Sequence, residues 1–201
     1  MRVGLYGGAF DPIHRGHLAP VREALQELRL DEVVYLPTAN PPHKGGRELA
    51  PALARYAMVE LALLEDRRLR VSPHELVARP AYTIETVEHF HRLDPAAEIF
   101  LLLGADAFLE LPTWRRWQEL PARAVIAVLR RPEWLGERFE RALTAELGDL
   151  LESGRAVLLS NTTVTVAATD LRARLARGER PSPVELPAAV LQYIEKYALY
   201  R

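Results

Sequence analysis

The chain has 201 residues, a formal net charge of −1 and 49% hydrophobic residues, values typical of a soluble globular protein. Because it contains no cysteine, disulfide scaffolds, thiolate zinc sites and thiol nucleophiles are excluded. The balanced charge predicts that the protein has no nucleic-acid partner. We find no secretion signal and no apolar run of roughly 20 residues, which predicts a cytoplasmic protein without a membrane partner. The oligomeric state stays open.

Six short apolar runs alternate with stretches of helical periodicity along most of the chain. The runs are Val3–Tyr6, Val33–Leu36, Leu69–Val71, Ile99–Leu103, Val125–Leu129 and Val157–Leu159. Continuous apolar strands are typical of a parallel sheet that is covered on both faces, because neither face meets water. The alternation of strand and helix therefore predicts an α/β fold, a Rossmann-like doubly wound parallel sheet.

The last part of the chain has a different pattern. Residues 169–177 and 187–199 are predicted to form two helices without a strand between them, separated by the Pro-rich residues 178–187. We expect a single domain over residues 1–201, in which residues 165–201 form a small helical C-terminal extension. In doubly wound sheets, ligands bind beyond the carboxyl ends of the strands, so the loops that follow the strands are the candidate sites of chemistry.

The loop after the first strand, GGAFDPIHRGH at residues 7–17, combines paired glycines with two histidines. The glycines let the backbone approach a ligand, and a helix N-terminus favours an anion. His14 and His17 are spaced so that both rings can face one side and hold the charge on a phosphate in transfer. On these residues alone, two alternatives stay open: a helix-capping Asp11 with surface histidines, or a two-histidine metal site.

The same segment resembles the GxFDPxHxGH signature of the nucleotidylyltransferase superfamily. Members of that superfamily transfer a nucleoside monophosphate from a nucleoside triphosphate and release pyrophosphate. The signature does not identify the acceptor, because enzymes that act on pantetheine phosphate, glycerol phosphate and pyridine mononucleotides share it.

Four further segments are similar to bacterial nicotinate-nucleotide adenylyltransferases. LPTANPPHK at 36–44 resembles their PxxxPPHK loop, RPAYTIET at 79–86 their RPSYTxDT, GADAFLELPTWRRW at 104–117 their GADxxxxLxxWxxW, and TVAATDLR at 165–172 their ISSTxIR. Seen alone, each segment has an ordinary interpretation, such as a solvated Lys44 in a turn or a tryptophan in the core. The end of the chain is also similar, so the resemblance covers essentially the whole sequence.

The resemblance implies transfer of AMP from ATP to nicotinate mononucleotide, with Mg²⁺ delivered by the triphosphate and catalysis by positioning and charge stabilisation. The catalytic residues that it implies are His14, His17, Lys44 and Arg172. It implies ATP contacts for Gly7, Gly8, Phe10, His14, His17, Gly104, Asp106, Arg131, Thr169 and Arg172. Contacts with nicotinate mononucleotide are implied for Ala9, Lys44, Tyr82, Thr83, Trp114 and Arg115, with Trp117 assigned to packing.

Two details complete the sequence-based prediction. Thr83 and Thr169 are expected to be helix N-caps, since threonine is a favoured residue there. Ala167 and Ala168 stand where the ISSTxIR pattern has serines, which removes two hydroxyl groups from phosphate contact. The rival functions are therefore an adenylyltransferase for nicotinamide mononucleotide or another phosphate acceptor, and a nucleotide-binding module with weakened catalysis.

Overall fold

The fold is taken from a computed structural model, which describes residues 1–39, 49–76 and 82–201. In these residues, strands and helices alternate in chain order up to the fifth strand, and there are three short 3₁₀ segments at His74–Leu76, Leu111–Thr113 and Trp117–Ala122. The strands are β1 (Arg2–Gly8), β2 (Glu32–Pro37), β3 (Leu69–Val71), β4 (Glu98–Gly104), β5 (Val125–Leu129) and β6 (Ala156–Leu158). The helices are α1 (Arg15–Glu27), α2 (Ala52–Leu63), α3 (Thr83–Leu93), α4 (Ala105–Leu109), α5 (Glu137–Ala142), α6 (Ala145–Glu152), α7 (Ala168–Ala176) and α8 (Ala188–Lys196).

All six strands lie in one parallel sheet with the order β3-β2-β1-β4-β5-β6. The chain moves outward from β1 to β3, then returns to the other side of β1 and moves outward again from β4 to β6. The strand order therefore reverses between β1 and β4, where doubly wound sheets bind their ligands. The predicted doubly wound fold is confirmed, although the last strand lies one residue earlier than predicted.

The core has two parts, one on each face of the sheet. Leu5 and Tyr6 are neighbours in β1 but belong to different clusters of buried residues, because successive side chains of a strand point to opposite faces. The Tyr6 side is covered by α1, α2, α7 and α8, and the Leu5 side by α3, α4 and α6. Apolar burial on both faces explains why the strand sequences are continuously apolar.

The predicted C-terminal helices are present as α7 and α8. Leu175 of α7 and Val190 and Ile194 of α8 are buried in the same cluster as α1 and α2. These helices are therefore part of the main core. In the described parts of the chain, every helix is too short or too polar to cross a bilayer.

Candidate active site

A cavity of about 600 Å³ opens at the carboxyl ends of β1, β2 and β4, beside the reversal of strand order. It brings together predicted residues from loops that are far apart in the sequence. The predicted residues that line it are Gly7, Gly8, Ala9, His17, Tyr82, Thr83, Gly104, Asp106, Trp114, Arg115 and Arg131. Residues expected to contact either substrate thus share one cavity.

The two histidines form the N-terminal cap of α1. Nδ1 of His14 accepts the backbone N–H of Gly16 at 3.1 Å, and Nδ1 of His17 accepts the backbone N–H of His14 at 3.3 Å. A ring nitrogen that accepts a hydrogen bond carries no proton, so each neutral imidazole carries its proton on Nε2. Both rings are therefore set to donate through Nε2.

His14 is held neutral by its surroundings. Its side chain is buried, and burial together with the nearby positive charges of Arg131 and Arg172 lowers the pKa of His14 to about 3. A Cβ on Gly16 would lie 3.0 Å from Nδ1 of His14 and 3.3 Å from the carbonyl oxygen of Val166. This crowding explains the glycine between the two histidines.

The capping role of His14 resolves one alternative for this loop. Asp11 does not cap α1, and His14 is not a surface residue, so the interpretation as a capping aspartate with surface histidines is wrong. The physical reason is that the chain turns into the helix at His14, which has an extended backbone. The described residues contain no group of three or more His, Cys, Asp or Glu side chains suited to hold a metal.

Arg172 reaches from α7 back to the loop after β1. One of its terminal nitrogens donates to the carbonyl oxygen of Asp11 and lies 3.5 Å from Asp11 Oδ2, and the other donates to Thr169 Oγ1 at 3.0 Å. The predicted N-cap at Thr169 is wrong, because the chain turns at Ala167 and Thr169 already lies in the first turn. Like Phe10 and His14, Thr169 and Arg172 are absent from the cavity lining.

Phe10 has a supporting position beneath the histidines. Its side chain is buried at 1% exposure, and its ring centroid lies 5.2 Å from that of His17 in an edge-on arrangement. Its backbone has a φ of +47°, a conformation uncommon for residues other than glycine. The side chain of Phe10 therefore packs in the core, and a contact with ATP would have to come from its backbone.

Arg131 and Asp106 face each other at the rim of the cavity. Their Nε and Oδ1 atoms are 3.7 Å apart. A Cβ on Gly104 would approach Arg131 Nε to 2.8 Å and Asp106 Oδ1 still more closely, so a larger residue here would displace these side chains. Tyr6 and Asp106 raise the pKa of Arg131, which keeps its guanidinium charged beside the cavity.

The opposite wall is aromatic. The guanidinium of Arg115 lies over the ring of Tyr82, 4.5 Å from its centroid, and Trp114 lies partly buried beside them. In the described structure, Trp114 Nε1 is buried and its N–H donates to no hydrogen-bond acceptor. Trp117 packs against the core, as predicted.

The predicted N-cap at Thr83 is wrong. Tyr82 is the N-cap residue of α3, because the backbone is still extended at Tyr82 and becomes helical at Thr83.

Glu75 is a functional candidate that the sequence did not reveal. It lines the cavity and is buried, and its two carboxylate oxygens accept the hydroxyl groups of Thr38 at 3.0 Å and Thr86 at 2.7 Å. Burial raises the pKa of Glu75. It joins the end of β2 to the first turns of α3, which are two walls of the cavity.

Arg55 is a second residue that sequence reasoning missed. Its guanidinium is buried and donates to the carbonyl oxygens of Ala9, Thr38, Ala39 and Ala50, at 2.6 to 3.0 Å. It therefore connects the loops after β1 and β2 to the start of α2. The sequence did contain a signal for its burial, because helical periodicity places Arg55 on the same face of α2 as the buried residues Met58, Val59 and Ala62.

Lys44, predicted to be catalytic and to contact the acceptor, lies outside the described residues, as do residues 79–81 of the RPAYTIET segment. The contacts predicted for Lys44 stay predictions.

Comparison with known proteins gives consistent results. Residues 5–174 match the family model described as cytidylyltransferase-like. The chain is 41% identical over 200 residues to a probable nicotinate-nucleotide adenylyltransferase of Neisseria meningitidis serogroup B, covering 99% of this chain and 98% of that protein. It is also 41% identical over 202 residues to a protein of the same name from Thermus thermophilus, covering all of both chains.

Solved structures show the same fold. The nicotinic acid mononucleotide adenylyltransferase of Plasmodium falciparum, complexed with NaAD, matches with a TM-score of 0.75 at 15% identity, covering 99% of this chain and 97% of that chain. A putative nicotinate-nucleotide adenylyltransferase from Vibrio parahaemolyticus matches with a TM-score of 0.69 at 18% identity, covering 100% and 96%.

Proposed function

Since the chain belongs to the nicotinate-nucleotide adenylyltransferases of the cytidylyltransferase-like family, we infer that it transfers AMP from ATP to nicotinate mononucleotide. The products are nicotinate adenine dinucleotide and pyrophosphate, and the reaction belongs to NAD biosynthesis. The structural observation that carries this function is the single cavity that joins the histidine-capped loop to the aromatic wall of Tyr82 and Trp114.

In the reaction, a phosphate oxygen of nicotinate mononucleotide attacks the α-phosphorus of ATP in line with the leaving group. The new bond joins that oxygen to the α-phosphorus, and the bond between the α-phosphorus and the bridging oxygen breaks to release pyrophosphate. The attacking phosphate is already anionic near neutral pH, so the step needs no strong general base. Catalysis then consists of positioning and of stabilising charge on the transferring phosphoryl group.

His14 and His17 supply that stabilisation through Nε2–H. Their Nδ1 atoms accept backbone N–H groups, which fixes the donor atom of each ring before substrate binds. Because the pKa of His14 is lowered to about 3, His14 donates as a neutral imidazole across the physiological pH range. A donor that is already oriented costs no reorganisation when charge develops on the phosphate oxygens.

Cationic side chains hold the triphosphate in this proposal. Arg172 and Lys44 act as clamps, and Arg131 contributes from the carboxyl end of β5. The remaining ATP contacts are assigned to Gly7, Gly8, the backbone of Phe10, Gly104, Asp106 and Thr169. ATP enters as its Mg²⁺ complex, in which the ion keeps several waters and binds mainly to phosphate oxygens.

The acceptor lies against the other wall. Trp114 offers a flat face to the pyridine ring, with Tyr82, Thr83, Arg115 and Ala9 around it and Lys44 near the phosphate of the acceptor.

We place the reaction in the cytoplasm. We propose that residues 1–201 form one nucleotidylyltransferase domain, with a helical extension over about residues 165–201. The core that α7 and α8 share with α1 and α2 supports a single domain.

The test is pyrophosphate release with MgATP and each of three acceptors: nicotinate mononucleotide, nicotinamide mononucleotide and phosphopantetheine. We expect strong preference for the nicotinate form. Preference for either other acceptor would contradict the substrate assignment. Absence of release with all three, from protein that still binds ATP, would instead support a nucleotide-binding module.

A further inference from the structure

Tyr200 lies beneath the loop that carries the two histidines. Its hydroxyl donates to Oδ1 of Asp11 at 2.7 Å, across a sequence separation of 189 residues. Tyr200 has a φ of +64° and Ala198 a φ of +51°, both in the left-handed region that side chains other than glycine adopt at a cost. Such conformations persist where the surrounding contacts determine them, so residues 198–200 are held in place at this loop.

Asp11 is buried at 2% exposure, and its two carboxylate oxygens have different partners. Oδ1 accepts both the Tyr200 hydroxyl and the backbone N–H of Ala50, the latter at 3.1 Å. Oδ2 lies 3.5 Å from a terminal nitrogen of Arg172. Charge-assisted hydrogen bonds between guanidinium and carboxylate are usually about 2.7–2.9 Å long, so this ion pair is loose.

The two donors on Oδ1 explain why the pair stays loose. They hold the carboxylate in an orientation that leaves Oδ2 3.5 Å from Arg172, while Arg172 also donates to the backbone carbonyl of Asp11. Burial and the neighbouring Asp11 raise the pKa of Tyr200, so its hydroxyl keeps its proton and remains a donor. Without that donor, the carboxylate could rotate toward Arg172 and form a close bidentate pair.

We propose that Tyr200 is a positioning residue for the ATP side of the reaction: by holding Asp11, it keeps Arg172 from closing onto the carboxylate and so presents its charge to the triphosphate. The proposal rests on the ATP-binding role assigned to Arg172 above. It gives the C-terminal extension a part in substrate binding, although Tyr200 itself touches neither substrate.

The test uses Tyr200→Phe, which removes only the hydroxyl group, and measures MgATP binding by calorimetry in the full-length protein. We expect the Kd of MgATP to rise about tenfold, the size expected for a hydrogen bond to a charged group. The KM for nicotinate mononucleotide is expected to change by less than about twofold. Tyr197→Phe is the matched control, because Tyr197 is 54% exposed in the same segment and should leave both values unchanged.

A double-mutant cycle separates positioning from general destabilisation. If Tyr200 acts through Arg172, Tyr200→Phe should change the Kd of MgATP by less than about twofold when Arg172 is already alanine. An equal effect in both backgrounds would overturn the proposal, as would a wild-type Kd for Tyr200→Phe or an equal loss of affinity for both substrates. The MgATP binding measurements and the double-mutant cycle stand whether or not the wild-type enzyme accepts nicotinate mononucleotide, so failure of the two proposals can be distinguished.

Discussion

The imidazole rings of His14 and His17 lie 3.9 Å apart between centroids, and each uses Nδ1 to accept a backbone N–H at the start of α1. The helix cap and the two proposed catalytic donors are therefore the same pair of side chains. Substitution of either histidine affects helix capping as well as chemistry, so experiments have to separate these effects.

His14→Asn separates the two roles of His14. Asparagine is a favoured N-cap, so the free energy of unfolding should stay close to the wild-type value, whereas His14→Ala should lose about 1 kcal/mol. Both variants lose the Nε2–H donor, and kcat should fall about 10²-fold or more in each. Steady-state kinetics and urea unfolding measure the two effects.

His91→Asn is a suitable control for these measurements, because His91 on α3 is hydrogen-bonded to the carbonyl oxygen of Arg123 and does not line the cavity. Near-normal turnover in His14→Asn would show that His14 serves only as a cap.

The lowered pKa of His14 predicts a pH dependence of stability. Between about pH 6.5 and pH 3 the unfolded chain binds a proton at His14 that the folded protein does not. Stability therefore rises with pH in this window and falls as the pH is lowered through it. His14→Asn lacks this contribution, so the wild-type protein should lose more unfolding free energy than the variant between pH 7 and about pH 4. Parallel pH profiles for the two proteins would show that His14 titrates normally.

Ala167→Ser should strengthen ATP binding. Ala167 is the N-cap residue of α7 and provides no side-chain hydrogen bond. A serine there would cap the helix, worth about 1 kcal/mol, and offer a hydroxyl to the phosphates, worth about three- to tenfold in affinity. We expect a higher Tm and a lower KM for ATP.

Ala173→Ser, an exposed change within the same helix, should give neither benefit and should lower stability by about 0.5 kcal/mol. If Ala167→Ser raises Tm while the KM for ATP stays fixed, the start of α7 does not contact the triphosphate.

Glu75→Gln should weaken acceptor binding selectively. The carboxylate accepts from both Thr38 and Thr86, but a glutamine amide can accept at only one of its two ends, so one threonine must reverse its hydrogen bond. We expect the KM for nicotinate mononucleotide to rise about three- to tenfold, the size of one altered hydrogen bond, with the Kd of MgATP unchanged.

The control for this variant is Glu65→Gln, because Glu65 is exposed. Equal weakening of the binding of both substrates by Glu75→Gln would indicate a general disturbance of the fold and contradict the predicted selective effect on the acceptor.

Local patterns in the sequence were sufficient to predict the strands of the sheet. Strands such as Leu69–Val71 and Val125–Leu129 were predicted at their observed bounds, because burial on both faces leaves a continuous apolar signal. Threonine at Thr83 and Thr169 was misleading, since residue type favours a cap but the backbone turn decides where the helix starts.

Local sequence patterns could not predict the contacts that shape the site. Arg55 meets Ala9 across 46 residues, Glu75 meets Thr38 across 37 residues, and Tyr200 meets Asp11 across 189 residues. Each partner is ordinary in its own segment, and only the fold brings the two together. The motif residues His17, Tyr82 and Trp114 could be identified because their segments resemble the motifs of a known family, and the structure places them around one cavity.

The hydrogen bonds of Arg55 also link two described points of the chain that lie on either side of residues 40–48. The Arg55 guanidinium donates to the carbonyl oxygens of Ala39 and Ala50, which lie before and after Lys44 in the sequence. A change at Arg55 therefore acts on both points at once, although Arg55 itself does not line the cavity.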